Sequence, residues 1–275
     1  MPWENVKLNS GHEMPSIAFG TGSLGNGDGP VDQVDQAISV GFSHVDTAQA
    51  YRKRERSCGL KRSEIFITTK YSGLGGLDIK ISIKNSLENL GVEYVDLYLI
   101  HHPRLAVPDI PTVWKEMEDI QAQGLVKSIG VSNFTILLHP YVYLTQSPII
   151  AYAQKNNIAI EAYSALIPLT RHPGGPVDAP VNEIAKKLNV APEQVLLAWV
   201  KAKGAIAITA SSKKDRLQRY LDAGDISLAD EDVAAIDAAG AIGTRLQASQ
   251  KLVTTGAGVL IFAACISLAL IGLRM

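Results

Sequence analysis

The chain has 275 residues, with 26 Lys and Arg against 27 Asp and Glu, a formal net charge of -1 and 47% hydrophobic residues. That balance gives no electrostatic basis for nucleic-acid binding. Its two cysteines, Cys58 and Cys265, lie far apart and set up neither a disulfide framework nor a metal-ligand cluster.

From residue 16 onward, short β-rich runs alternate with helical patterns, the sequence form of repeated βα units around a parallel sheet. The length suits an α/β barrel, which needs about 250 residues in one domain. Strands are expected over 16–20, 44–47, 65–70, 95–101, 128–132, 159–163 and 205–209. The clearest helices are expected over 31–40, 79–90, 112–123, 181–188 and 192–203, with another ending at Leu221.

Asp46, Lys70 and His101 close three successive strand-like runs, and Tyr51 follows shortly after the first. Parallel barrels place their sites at the carboxyl ends of strands. Hydride arriving at a carbonyl carbon leaves negative charge on the oxygen, so the site needs a proton donor and fixed dipoles aimed at that oxygen. A phenol such as Tyr51 titrates near ~10 and is brought down by a neighbouring ammonium. Lys70 supplies that charge, Asp46 holds Lys70, and His101 orients the carbonyl. Taken singly, each of these residues also fits a cap, a solvated cation or a packing role. Their joint spacing is what favours chemistry. His102 reads as a pocket or packing residue, and His44 and His139 as structural.

Gly41-Phe-Ser-His-Val-Asp46-Thr-Ala-Gln-Ala-Tyr51, Ile65-Phe-Ile-Thr-Thr-Lys70 and the segment from Ser86 through His101-His-Pro103 closely resemble the aldo-keto reductases, in their fungal-type NADPH-dependent form. The resemblance runs from about Val6 to about Gly240. It implies a TIM-type (β/α)8 barrel that reduces an aldehyde or ketone to an alcohol with NADPH, NADH being the alternative donor. Leu8-Asn-Ser-Gly-His-Glu-Met-Pro15 is similar to the family's N-terminal hairpin, and Phe19-Gly-Thr21 to its first barrel strand, which brings Gly20 and Thr21 into the cofactor set. Ile129-Gly-Val-Ser-Asn-Phe134 and Glu161-Ala-Tyr-Ser-Ala-Leu166 are similar to the nicotinamide side, so Ser132, Asn133 and Tyr163 would hold the nicotinamide and Ser164 and Leu166 the pyrophosphate. At the adenosine end the family's Lys is replaced by Ala210, Ser211 and Arg216 remain, and Lys213 can meet a 2′-phosphate.

Two places depart from the family pattern. After Ser132-Asn-Phe134 only Thr135 precedes the next apolar run, Ile136-Leu-Leu-His-Pro140, whereas a parallel neighbour needs a crossover of about a dozen residues. The barrel is therefore expected to be incomplete around its fifth helix and sixth strand, short of about twenty residues, with 136–140 as a strand remnant. The strand's family Gln, a carboxamide ligand, is absent. Beyond Tyr51, the basic run Arg52-Lys-Arg-Glu-Arg replaces a longer helix and reads as a solvated face.

Residues 252–273 carry no charge, and at ~1.5 Å per residue a helix of that length crosses a hydrocarbon core of ~30 Å. Three segments are expected: a barrel over 1–245, a linker over 246–251 and a membrane helix over 252–273. With only Arg274 and Met275 after it and no signal peptide, the helix would be a single C-terminal anchor that leaves the barrel facing the cytoplasm. The expected partners are a small carbonyl substrate and the lipid bilayer. The glycine spacing argues for a monomer rather than a membrane dimer. Two other readings stand beside the enzyme: a membrane-tethered pseudo-enzyme or binding module, and a truncated gene product that does not fold stably because an open barrel exposes unpaired backbone.

Overall fold

The computed structural model describes residues 3–22, 29–49, 60–133 and 138–246. A hairpin opens it, β1 (Asn5–Lys7) antiparallel to β2 (Glu13–Pro15), with Val6 opposite Met14. Then follow β3 (Ile17–Gly20), α1 (Gly29–Val40), β4 (His44–Asp46), β5 (Phe66–Tyr71), α2 (Ile79–Leu90), β6 (Val95–Ile100), α3 (Ile110–Ala122) and β7 (Val126–Val131). The second part comprises α4 (Pro140–Lys155), β8 (Glu161–Tyr163), α5 (Ile167–Arg171), α6 (Asp178–Leu188), α7 (Pro192–Ala202), β9 (Ile206–Thr209) and α8 (Lys214–Asp222). A last helix, α9, covers 230–246.

Strands β3 to β9 form one parallel sheet in the order β7-β6-β5-β4-β3-β9-β8. All seven expected strands are present. Helices cover the outer face, so the central strands β3 to β6 are buried on both sides and read as apolar runs rather than alternations. In β6 all six residues are buried. Its Asp96 survives there because it accepts from the Ile67 amide (2.9 Å), Arg62 (2.6 Å) and Lys127 (2.9 Å).

The sheet is curled, a parallel α/β half-barrel of TIM type. Leu97 and Leu99 of β6 share one buried cluster with Phe66 of β5, Ile206 of β9 and Met14 of the hairpin. Three strands lie between β6 and β9 in the sheet order. At ~4.8 Å per strand a flat sheet would keep those side chains well apart. The hairpin closes the lower end, and its Ser10 hydroxyl lies 2.7 Å from that of Ser128.

The sheet ends at β7 and β8, which pair with no further strand among the described residues. Their crossover corrects the expectation of a strand remnant over 136–140. Pro140 begins α4, where its fixed φ suits the first helical turn and its missing N–H goes unmissed. Residues 134–137 lie outside the described ones. Pro148 inside α4 cannot donate to the carbonyl of Leu144, which takes the Ser147 hydroxyl instead at 3.0 Å.

α9 clasps this crossover. A Cβ on Gly240 would lie 2.3 Å from the Pro140 carbonyl oxygen, and one on Gly243 would lie 2.3 Å from the Tyr141 ring. In an exposed helix interior, Gly→Ala stabilises by ~1 kcal/mol. Here Gly240→Ala is expected to destabilise by about 1–3 kcal/mol, because backbone must move to admit the methyl group. Thermal melting decides the sign, and a higher melting temperature would mean that α9 does not press on α4.

Among the described residues no helix is long and apolar enough to cross a membrane. The segment 252–273, expected to be an anchor, lies outside them.

Candidate active site

The chemistry gathers at the carboxyl ends of the strands. Asp46 is the last residue of β4 and pairs in register with Thr68 of β5, which puts Lys70 two residues further along on the same face. The Lys70 ammonium donates to Asp46 Oδ2 at 2.6 Å and to the Thr47 carbonyl at 2.9 Å. Both side chains are over nine-tenths buried, at 7% and 8% exposure, so the pair acts in a low-dielectric setting. Thr21, just past β3, donates its amide to the Asp46 carbonyl (2.9 Å) and fixes the end of β4. Tyr51 lies outside the described residues.

His101 follows β6 directly, and its amide bonds the Tyr71 carbonyl at 3.0 Å. Burial, with Lys70 next in effect, lowers its imidazole to about 4, so it is neutral at pH 7. The Ser72 hydroxyl lies 2.9 Å from Nδ1; donating its hydrogen there leaves the ring proton on Nε2, the tautomer that can donate to a substrate oxygen. Asn133 donates to the His101 carbonyl (2.8 Å) and accepts from the Tyr163 hydroxyl (2.9 Å). The Asn133–Tyr163 bond joins the rim beyond β7 to the end of β8. The two edge strands, which do not pair with each other among the described residues, are thus stitched at the top by side chains.

A profile of the Aldo/keto reductase family matches residues 16–142 and 136–241. The chain belongs to the aldo/keto reductase family. It is 35% identical over 245 residues to the NAD/NADP-dependent indole-3-acetaldehyde reductase of Schizosaccharomyces pombe, covering 78% of this chain and 84% of that one. The glyoxal reductase of Bacillus subtilis is 32% identical, with 86% and 92% covered. The crystal structure of an aldo/keto reductase from Brucella melitensis superposes with a TM-score of 0.74 at 30% identity, over 86% of this chain and all but a hundredth (99% covered) of that one. That of a Bombyx mori aldo-keto reductase in complex with NADP gives 0.74 at 28%, with 86% and 92% covered.

In this aldo/keto reductase the residues expected to meet a dinucleotide lie along the same rim. Ser132 is anchored by its amide on the Ile100 carbonyl (2.8 Å), and its hydroxyl accepts from Asn133 (3.2 Å). Asn133 (φ 59°) and Ser164 (φ 64°) both adopt the left-handed conformation, which aims backbone groups off the strand ends. Leu166 sits at the start of α5, half-buried against the core. A Cβ on Gly20 would come within 2.8 Å of Ile208, so the chain passes too close there for a side chain. Across β9, Ser211 accepts from the Lys213 amide (3.1 Å), and Lys213 and Arg216 stand exposed at the first turn of α8. Hydroxyls and amides at one end and two cations over a helix start at the other fit a nicotinamide and a phosphate respectively.

Three neighbours of the site escaped the sequence reading: Ser72, Thr47 and Glu161. Ser72 follows Lys70 by two residues, and Glu161 precedes Tyr163 by two, so the period of a strand could have placed both on the inner face. His102, read from the sequence as a pocket or packing residue, accepts from the Arg104 amide on Nδ1 at 3.3 Å.

Proposed function

We propose that this protein reduces an aldehyde or ketone to an alcohol, with NADPH as the preferred donor and NADH as the alternative. The observation that carries the reading is the buried Lys70–Asp46 pair at 2.6 Å, set beside a neutral His101 on the rim of a family barrel. NADPH supplies the hydride when bound. His101 donates Nε2–H to the carbonyl oxygen and orients it, Tyr51 gives the proton, and Lys70, held by Asp46, lowers the cost of leaving that phenol ionised. Ser132 and Asn133 meet the carboxamide, Tyr163 stacks on the nicotinamide, and Ser211, Lys213 and Arg216 hold the 2′-phosphate end. A relative solved with NADP and a relative named NAD/NADP-dependent support this choice of donor.

The same reading includes a barrel lacking the family's fifth helix and sixth strand, which works as a monomer. The outer edges of β7 and β8, unpaired among the described residues, support that shortening. So does the alignment with glyoxal reductase, which runs over 263 residues although it covers only 86% of this chain. The uncharged stretch 252–273 would anchor the barrel on the cytoplasmic face of a membrane. Flotation of the full chain with liposomes, against a chain ending at 246, tests the anchor. Equal recovery of both in the unbound fraction would refute it.

The test of chemistry is NADPH consumption by the full chain with a panel of small aldehydes, with Tyr51→Phe alongside. A positioned general acid contributes about 10²–10⁴, and a loss of that size in Tyr51→Phe is expected. Equal rates in the two proteins would remove Tyr51 from the mechanism. Dinucleotide binding without turnover in the parent would favour the pseudo-enzyme.

A further inference from the structure

Below the Lys70–Asp46 pair the curled sheet encloses a second polar layer that the reductase chemistry leaves without a task. His44 of β4 is fully enclosed. Its Nδ1 lies 3.3 Å from the Pro15 carbonyl and its Nε2 lies 2.9 Å from the Thr68 hydroxyl. A carbonyl only accepts, so Nδ1 must carry the hydrogen. Burial holds the ring neutral, its titration lowered to about 4. Nε2 therefore accepts the Thr68 hydrogen on its lone pair, and Glu161 Oε1 of β8 faces the neutral ring at 4.0 Å, beyond hydrogen-bond reach. That oxygen is buried and has no hydrogen-bond partner. An ionised carboxylate there would place negative charge on a buried oxygen that no donor meets, with the nearby Lys70 ammonium already bonded to Asp46.

We propose that Glu161 is a positioning residue that carries a proton at neutral pH and so leaves Asp46 as the single carboxylate beside Lys70. Burial, with Asp46 adding to it and Lys70 opposing, raises the Glu161 carboxyl to about 8. The groups that face it are His44 and Asp46 from β4 and Lys70 from β5, while its register partner on β9 is the apolar Ile206. Once Glu161 ionises, a second negative charge shares the Lys70 ammonium, which then lowers the Tyr51 phenol less. Turnover falls on the alkaline side for that reason. This last step rests on the reductase reading, whereas the proton on Glu161 does not.

The test uses the full chain in three measurements. In unmodified protein labelled at glutamate carboxyl carbons, one resonance should titrate near pH 8, far from the rest. Glu161→Gln should keep most of its turnover at neutral pH, lose the alkaline fall of about tenfold per pH unit, and gain in melting temperature over the parent as pH rises from 5 to 9. The sign follows from linkage: an acid whose folded titration is raised binds more protons folded than unfolded, so the parent loses stability as pH rises between the two values. A Tm gain without turnover in either protein would uphold the proton on Glu161 and count against the reductase reading. A carboxyl that titrates with the other glutamates, or a melting difference flat across pH, would overturn the proposal, and the labelled parent gives that answer even if the variant fails to fold.

Discussion

Lys70→Met is expected to lower turnover by about 10²–10⁴ and stability by about 3–5 kcal/mol. The stability loss arises on Asp46. With the ammonium gone, its carboxylate stays buried at the end of β4 with no counter-charge in reach, and breaking a buried pair at one partner leaves the full desolvation cost exposed. The activity loss has a different source, the phenol that Lys70 no longer helps to ionise. The two effects therefore separate in the double variant Asp46→Asn with Lys70→Met. Removing both charges should recover most of the stability and none of the turnover. Urea unfolding and NADPH consumption read them independently. A Lys70→Met protein as stable as its parent would mean that Asp46 is solvated, contrary to its burial here.

Trp199→Ala is expected to cost about 3–5 kcal/mol. α7 is buried over most of its length, and Trp199 is among its fully enclosed side chains. The indole meets Tyr143 of α4 edge-on at 5.4 Å and donates to Asp237 of α9 at 2.9 Å, while Lys203 bonds the other oxygen of Asp237 at 2.6 Å. One ring thus joins the β7–β8 crossover to the last helix. Losing it opens a cavity and releases α9 from the barrel wall. Calorimetry of the full chain checks the magnitude. A cost below ~1 kcal/mol would show that α4 and α9 collapse onto the space, and hence that the crossover is loosely packed.

The central strands could be read from sequence because each is buried on both faces and shows as an apolar run; Val95 to Ile100 is the clearest. Asp46, Lys70 and His101 could be placed because polar residues closing such runs have few structural reasons to be there. α4 could not. It has a proline near its middle and only Lys155 as a charge, so no polar stripe marks its solvent face, and its start was taken for the end of a strand. α9 was not placed from sequence; its Gly240 and Gly243 are explained only by their close approach to Pro140 and Tyr141, which no local pattern shows. The rim bond from Tyr163 to Asn133 depends on how far the sheet curls, and no local pattern encodes that distance. Glu161 is a similar case. Its alternation places it inside, but only the closed curl sets it opposite His44, with the intervening strands β3 and β9 between them. Tyr51 is the reverse, a residue whose role comes from sequence and chemistry while its position lies outside the described residues.

The most direct test of the central claim follows the hydride itself. The full chain would be incubated with a small aldehyde and NADPH deuterated at the transferred nicotinamide position, and the alcohol analysed by mass spectrometry. Deuterium on the carbinol carbon, lost in Tyr51→Phe, is the predicted result. Bound dinucleotide with no labelled alcohol from any carbonyl tried would contradict the account and leave a barrel that holds its cofactor without using it.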